Sequence, residues 1–97
     1  MPEKGFYYHY KHDPAGPIHD HAYEVLGTAK HSEDNSLLVV YRPLYKNSWQ
    51  EHAEFVVRPA EMFLEEIEKD GKRFPRFSKI TDEKVIERLI VQARLSR

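Results

Sequence analysis

Residues 37–44 read Leu-Leu-Val-Val-Tyr-Arg-Pro-Leu, and the first four of them are the longest aliphatic run of the chain. Apolar side chains at consecutive positions point to both faces of a strand, so such a strand is stable only when both faces are covered. The segment therefore predicts a buried middle strand. Pro43 marks a bulge or the point where pairing ends, because proline has no N–H for the ladder.

The segments around this strand predict a mainly β fold. Residues 6–11 are rich in aromatic side chains and residues 23–31 alternate in polarity, which predicts two strands joined by a Pro/Gly-containing loop over 12–21. A fourth strand is predicted at 52–57, and a short final one at 74–77. We expect a small barrel of about five strands, because closure removes exposed strand edges.

Two helices are predicted as additions to the barrel. Pro59 suits the first position of a helix and is followed by apolar residues at helical spacing, which predicts a short helix near 59–69 that Gly71 stops. Residues 82–95 carry one apolar stripe behind an N-cap at Thr81, which predicts a C-terminal helix. We expect the stripe to dock on the barrel, and the alternative is a homodimer interface through the 82–95 helix.

Length and composition exclude several classes of protein. A chain of 97 residues has room for a single domain over 1–97, and its 15 basic and 16 acidic side chains argue against a binder driven by overall positive charge. The absence of cysteine excludes disulfides, thiolate zinc sites and cysteine nucleophiles. No apolar stretch has the length of a signal or membrane span, so we predict a cytoplasmic protein with no membrane partner.

The histidines suggest two sites, each with a simpler interpretation. His19 and His21 are the candidate ligands for a metal in the 12–21 loop, although solvated loop histidines explain them as well and we predict no metal or other cofactor. His31 and Glu33, two residues apart at a strand end, could act as a general base and its orienting carboxylate. A turn histidine and a capping carboxylate explain the same two residues.

Aromatic and arginine side chains indicate a binding surface. Tyr10, Tyr41 and Tyr45 combine an apolar ring with a polar tip, which suits the stacking of a base, a planar ligand or a peptide. Arg42 and Arg58 each precede a proline near a strand end, where a guanidinium could bind a carboxylate or phosphate through two hydrogen bonds. The alternative is that some rings belong to the core and that each arginine pairs with a carboxylate of the fold.

Several motifs occur in a recognisable order: Tyr-His-Tyr-Lys at 8–11, Tyr-Glu-Val-Leu-Gly-Thr-Ala-Lys-His-Ser-Glu at 23–33, Val-Val-Tyr-Arg-Pro-Leu-Tyr at 39–45, Val-Arg-Pro-Ala-Glu-Met-Phe at 57–63 and Pro-Arg-Phe at 75–77. Through these motifs the chain resembles the bacterial domain of unknown function 1653 family. The resemblance implies a small SH3-like barrel over 5–77 and a bacterial cytoplasmic setting. The chain departs from the family's pattern in the 13–22 loop and in the helical extension over 78–97. It implies no activity. The motif positions that would carry a shared site are Tyr10, His31, Glu33, Tyr41, Arg42, Tyr45, Arg58 and Glu61.

We therefore predict a non-enzymatic binding module that recognises an anionic or planar group on a nucleotide, a nucleic acid or a peptide. The ligand-binding residues would be Tyr10, Tyr41, Arg42, Tyr45, Arg58 and Glu61. The alternatives are a small hydrolase or lyase that uses His31 and Glu33, and a metal-binding loop at His19 and His21.

Overall fold

The computed structural model of the chain describes residues 2–45, 47, 49–50 and 53–95. In this part of the chain the elements follow in the order β1 (Gly5–His9), β2 (Ala22–Lys30), β3 (Leu37–Pro43), β4 (Val56–Pro59), α1 (Ala60–Phe63), β5 (Glu66–Lys69), β6 (Lys72–Pro75), β7 (Phe77–Lys79) and α2 (Glu83–Leu95). Five strands form one antiparallel sheet in the order β4-β3-β2-β1-β7, and β5 pairs with β6 in a separate hairpin. The mainly β fold with a C-terminal helix is thereby confirmed.

The aliphatic strand lies inside the main sheet, as predicted. β3 pairs with β2 on one side and with β4 on the other, and Val39 and Tyr41 are buried. The strand ends at Pro43. The predicted fourth strand is displaced toward the C-terminus: β4 begins at Val56, and His52, where the prediction starts, lies outside the described residues.

The alternation predicted for the second strand is interrupted by a bulge. Val25 pairs with Tyr41 and Gly27 pairs with Val40, so Leu26 is the extra residue on β2. A bulge of this kind increases the local twist and bends the strand. The bend helps to curl the sheet.

The curl brings side chains from the two outer strands together. In a flat sheet β4 and β7 would lie four strand spacings apart, roughly 19 Å. Instead, the guanidinium carbon of Arg58 on β4 lies 5.5 Å from the ring centre of Phe77 on β7. The sheet therefore has the curvature of a barrel, although within the described residues no ladder joins β4 to β7.

Both faces of the curled sheet are covered by apolar side chains. The inner face packs with Phe63 of α1 in a cluster of buried residues, Tyr7, Tyr23, Val25, Val39, Tyr41, Ala60, Phe63 and Phe77. The outer face is covered by α2 in a second cluster, Phe6, Ala22, Leu44, Ile80, Leu89 and Ala93. The stripe of the C-terminal helix is thus docked on the sheet. No helix in the described residues is long and apolar enough to cross a membrane.

The helix predicted over 59–69 is wrong in extent. α1 is a single turn that ends at Phe63, and the following residues form the β5–β6 hairpin. The hairpin turn is Asp70-Gly71, with φ of 54° and 75°. Two consecutive positive φ angles define a type I′ turn, which an Asp-Gly pair favours over helix continuation. Gly71 therefore closes a hairpin instead of ending a helix.

Candidate functional site

Aromatic and histidine side chains surround one arginine at the end of the inner face where β1 and β3 finish and β2 begins. We call this group the ring cluster: His9, His21, Tyr23, Tyr41, Tyr45, Arg58 and Phe77. Its ring centres form an unbroken series of contacts, with His9 5.1 Å from Phe77 and 6.0 Å from His21, and with Tyr45 5.3 Å from His21. Tyr23 lies 5.4 to 5.6 Å from Tyr41, Phe77 and Tyr45.

Strand pairing explains why these rings meet. His9 is paired with Phe77 across β1 and β7, and its N–H donates to the carbonyl oxygen of His21, next to the start of β2. Tyr23 is paired with Tyr7, which lies two residues before His9 on β1, so Tyr23 and His9 face the same side of the sheet. Tyr41 reaches this side from β3, and Arg58 from β4.

Arg58 is held by two neighbours in the ring cluster. Its Nε donates a hydrogen bond to the Tyr41 hydroxyl at 3.3 Å, and its guanidinium lies over the Phe77 ring. The side chain is half-buried. Within the described residues no carboxylate lies within 4.0 Å of its guanidinium, unlike the guanidiniums of Arg42 and Arg76. Within the described residues, Nε is the one guanidinium nitrogen of Arg58 that has a hydrogen-bond acceptor.

His9 presents a fixed N–H donor beside this arginine. The backbone N–H of Lys11 donates to Nδ1 of His9 at 3.2 Å, so the proton of the neutral ring lies on Nε2. Burial, and after it the positive charges of neighbouring His21, Arg58, Arg76 and Lys11 side chains, together lower the pKa of His9 to about 4. At neutral pH the ring is therefore uncharged.

Tyr23 and Tyr45 contribute a pair of hydroxyls that contact each other. The two oxygens are 2.5 Å apart and share a hydrogen bond. Burial raises the pKa of Tyr23 well above its usual range, and the hydrogen bond with Tyr45 raises it further. Tyr23 therefore adds no negative charge that would oppose an anion at Arg58.

His21 is paired with the residue before it. Its Nδ1–H donates to Oδ2 of Asp20 at 3.0 Å, since a carboxylate can only accept, and this leaves the lone pair of the neutral ring on Nε2. The backbone of His21 has φ of 53°. That left-handed conformation is uncommon outside glycine and often occurs at functional positions.

Of the predicted binding residues, the structure brings Tyr41, Tyr45 and Arg58 into the ring cluster and places Tyr10 next to it. The ring of Tyr10 lies 4.5 Å from that of His9. Glu61 is an exposed residue of α1.

Arg42 is not available as a ligand-binding residue, which corrects the sequence prediction. It lies on the outer side of the sheet and is only 6% exposed. Its Nε donates to Glu24 at 2.9 Å and its Nη2 donates to the carbonyl oxygen of Ala93 at 2.9 Å. Here the alternative interpretation holds, in which the arginine pairs with a carboxylate of the fold.

His31 and Glu33 are joined by the backbone and not through the carboxylate. The N–H of Glu33 donates to Nδ1 of His31 at 3.1 Å, and the carboxylate recorded near that nitrogen belongs to Asp34, at 3.7 Å. Both residues lie in the turn before β3. The arrangement is that of a turn histidine, and Glu33 does not orient it as a general base requires.

The loop histidines do not form a metal site in the described part of the chain, where no three His, Asp or Glu side chains come close enough to hold an ion. His21 joins the ring cluster instead. The carbonyl oxygen of His19 accepts from the N–H of Ala22 in the turn that leads into β2.

His9 and Tyr23 are site residues that were not predicted from the sequence. Each lies in a segment predicted as a strand. Strand alternation in the sequence places Tyr7 and His9 on one face of β1. That this face meets Tyr41 and Arg58 depends on the curl of the sheet.

Comparison with known proteins gives a family similarity. Residues 5–79 match the profile of the family described as "Protein of unknown function (DUF1653)". The fold is similar to the crystal structure of a DUF1653 protein from Bordetella bronchiseptica, with a TM-score of 0.63 and 27% sequence identity over 84% of this chain and 94% of that chain. A search of curated proteins finds no match. The resemblance inferred from the motifs is confirmed.

Proposed function

Because this chain belongs to the DUF1653 family, whose description assigns no activity, we propose its function from the ring cluster: it is a binding module for a small anionic ligand that carries a planar group, such as a nucleotide. The anion would bind at Arg58, and the planar group would stack on Tyr45 or Tyr10.

The observation that carries this proposal is the state of Arg58. Its guanidinium is half-buried and oriented by Tyr41 and Phe77, and it has no carboxylate partner in the described residues. Partial removal of a charge from water is costly unless something compensates for it. A ligand anion would supply that compensation, and charge-assisted hydrogen bonds to carboxylate or phosphate are the strong ones.

The neighbours of Arg58 favour an anion over a cation. His9 is neutral and presents an N–H, and Tyr23 is held in its neutral form. The side chains of Arg58, Arg76 and Lys11 act on His9 with positive charge. The local field is therefore positive although the chain as a whole carries a net charge of −1.

The rings around the arginine favour a planar group on the ligand. Tyr10 stacks obliquely on His9, and Tyr45 stands nearly perpendicular to Tyr23 at 86°. Both tyrosines are only half-buried, so each can offer ring surface to a ligand. Stacking of a base on an aromatic side chain contributes about 1–3 kcal/mol.

Titration calorimetry with inorganic phosphate, AMP and adenosine tests the proposal. We expect AMP to bind more tightly than either fragment, and Arg58→Gln to weaken AMP binding by roughly 10- to 100-fold, the equivalent of about 1.5–3 kcal/mol for a charge-assisted hydrogen bond. Arg73→Gln is the matched control, because Arg73 is an exposed arginine of the β5–β6 hairpin. Equal affinity of AMP for the two variants, or no binding of any of the three probes to the unaltered protein, would refute the proposal.

A further inference from the structure

The ring cluster holds a second set of groups that ligand binding at Arg58 does not use. Asp20 accepts a hydrogen bond from Nδ1–H of His21, and this leaves Nε2 of His21 as a lone-pair acceptor. The imidazole ring of His21 lies 6.0 Å from that of His9 and 5.3 Å from the ring of Tyr45. A carboxylate that orients an imidazole so that its far nitrogen can accept a proton is the arrangement of a general base.

We propose that His21, oriented by Asp20, is the general base of an esterase activity in the ring cluster, which hydrolyses a carboxylic ester with water as the nucleophile. The inference rests on the proposed anion-binding role of Arg58. Water is required as the nucleophile because the ring cluster contains no serine, threonine or cysteine.

The donors of the cluster match the charge that this reaction develops. Attack of water on the acyl carbon turns the carbonyl oxygen into an oxyanion, which needs donors that are already in place. The N–H groups of Arg58 and the Nε2–H of His9 are such donors. Both groups pack on Phe77, with the Arg58 guanidinium 5.5 Å and the His9 ring 5.1 Å from the centre of that ring.

His21 alone carries the proton from the attacking water to the leaving alkoxide. Nε2 takes one proton from the attacking water as the carbon–oxygen bond forms. When the tetrahedral intermediate collapses, the bond to the alkoxide breaks and the imidazolium returns that proton to the alkoxide. The products are a carboxylic acid and an alcohol, and the acid, once ionised, is an anion of the kind that Arg58 would bind.

The backbone at His21 agrees with a functional role. A histidine at φ of 53° is strained relative to glycine by about 1–2 kcal/mol. The side chains of His21 and Asp20 remain 32% and 36% exposed, so water has access to the pair. His12 has the same Nδ1–H tautomer, because it donates to the carbonyl oxygen of Asp20, but its ring stacks on Tyr8 at 3.6 Å. In the described part of the chain no carboxylate orients it.

Hydrolysis of 4-nitrophenyl acetate and phenyl acetate by the full chain tests this inference. His21→Gly keeps the positive φ and removes the imidazole, and we expect it to lower kcat by about 100-fold or more, the contribution of a general base. Imidazole added to the solution should restore part of the rate. Asp20→Asn should lower kcat and leave KM unchanged, because Asp20 is a positioning residue that does not touch the substrate.

His31→Gln is the matched control, since His31 is a turn histidine outside the ring cluster, and it should retain the full rate. Equal losses of kcat in His21→Gly and His31→Gln would overturn the esterase inference. So would hydrolysis of both esters by the unaltered protein at a rate no faster than that of free imidazole. Either result leaves the binding proposal standing if AMP still binds in an Arg58-dependent way. If neither His21-dependent hydrolysis nor Arg58-dependent AMP binding is found, both proposals are refuted.

Discussion

The guanidinium of Arg42 joins three elements: its Nε donates to Oε1 of Glu24 at 2.9 Å on the neighbouring strand, and its Nη2 donates to the carbonyl oxygen of Ala93 in α2. Glu24 and Arg42 are directly opposed in the β2–β3 ladder. The pair therefore fixes the register of the two strands and ties the C-terminal helix to them. A buried charge with two acceptors in place is costly to disrupt from one side.

Removal of this guanidinium should destabilise the fold strongly. We expect Arg42→Ala to lower the free energy of unfolding by about 3–5 kcal/mol, because Glu24 and the Ala93 carbonyl would both lose their partner. Glu24→Gln keeps an acceptor for Nε but removes the countercharge of the buried guanidinium, so we expect it to cost about 1.5–3 kcal/mol. Urea denaturation measures both. Arg94→Ala, at an exposed position of the same helix, should change stability by less than about 0.5 kcal/mol, and a cost similar to that of Arg42→Ala would contradict this role of the pair.

Leu89 should anchor the C-terminal helix. It is 0% exposed in the cluster with Phe6, Leu44 and Ile80. We expect Leu89→Ala to cost about 2–5 kcal/mol, since the vacated volume cannot be refilled completely. Val91→Ala, at 55% exposure on the other side of α2, should stay within about 0.5 kcal/mol. Comparable midpoints for the two variants in thermal unfolding would mean that the helix is not docked on the sheet.

His9 should make stability depend on pH. Burial, followed by the neighbouring positive charges, lowers its pKa to about 4 in the folded chain, against about 6.5 in the unfolded chain. The unfolded state then binds more protons between these values, so the contribution of His9 is fully present above pH 6.5 and is lost as the pH falls toward 4. We expect His9→Gln to flatten the decline in unfolding free energy from pH 6.5 to 4.5. Urea denaturation at a series of pH values measures this decline. If the unfolding free energy of His9→Gln falls with pH as steeply as that of the unaltered protein, His9 does not cause the decline.

Gly71 should be required by the hairpin turn and not by packing. Its φ is 75°, and a Cβ added there would meet nothing within 4 Å. The cost of Gly71→Ala is therefore conformational, about 1–2 kcal/mol, as for other L residues in the left-handed region. Gly71→Asn should cost less, because asparagine tolerates this region. Thermal unfolding compares the two variants, and an alanine variant as stable as the asparagine variant would contradict the type I′ assignment.

Local patterns were sufficient for most of the elements. The apolar run at 37–44 predicted the middle strand and its end at Pro43, and the stripe at 82–95 predicted α2. The short helix predicted near 59–69 is present but ends at Phe63, because the apolar spacing after Pro59 continues into a strand. The Asp70-Gly71 pair was the local signal for the hairpin, and turn chemistry prevailed over helical periodicity there.

The sequence predicted which types of side chain form the candidate site, but it did not predict which individual residues belong to it. Arg42 and Arg58 have the same local context, an arginine before a proline near a strand end. One is buried against Glu24 and α2, and the other lies in the ring cluster. Arg42 is adjacent to Tyr41 on β3 and therefore lies on the opposite face, whereas Arg58 is paired with Val39 and shares the inner face with it. The β3–β4 register that places Arg58 there is not encoded in the local sequence.

Apolar periodicity and turn residues act over a few positions, and they were enough to predict a mainly β chain with a C-terminal helix. The contacts of Arg58 with Tyr41 and Phe77, and those of His9 with Phe77 and His21, follow from the tertiary structure. Those contacts join strands far apart in the chain through the curl of the sheet. The curl results from packing on both faces at once, which local sequence patterns do not encode.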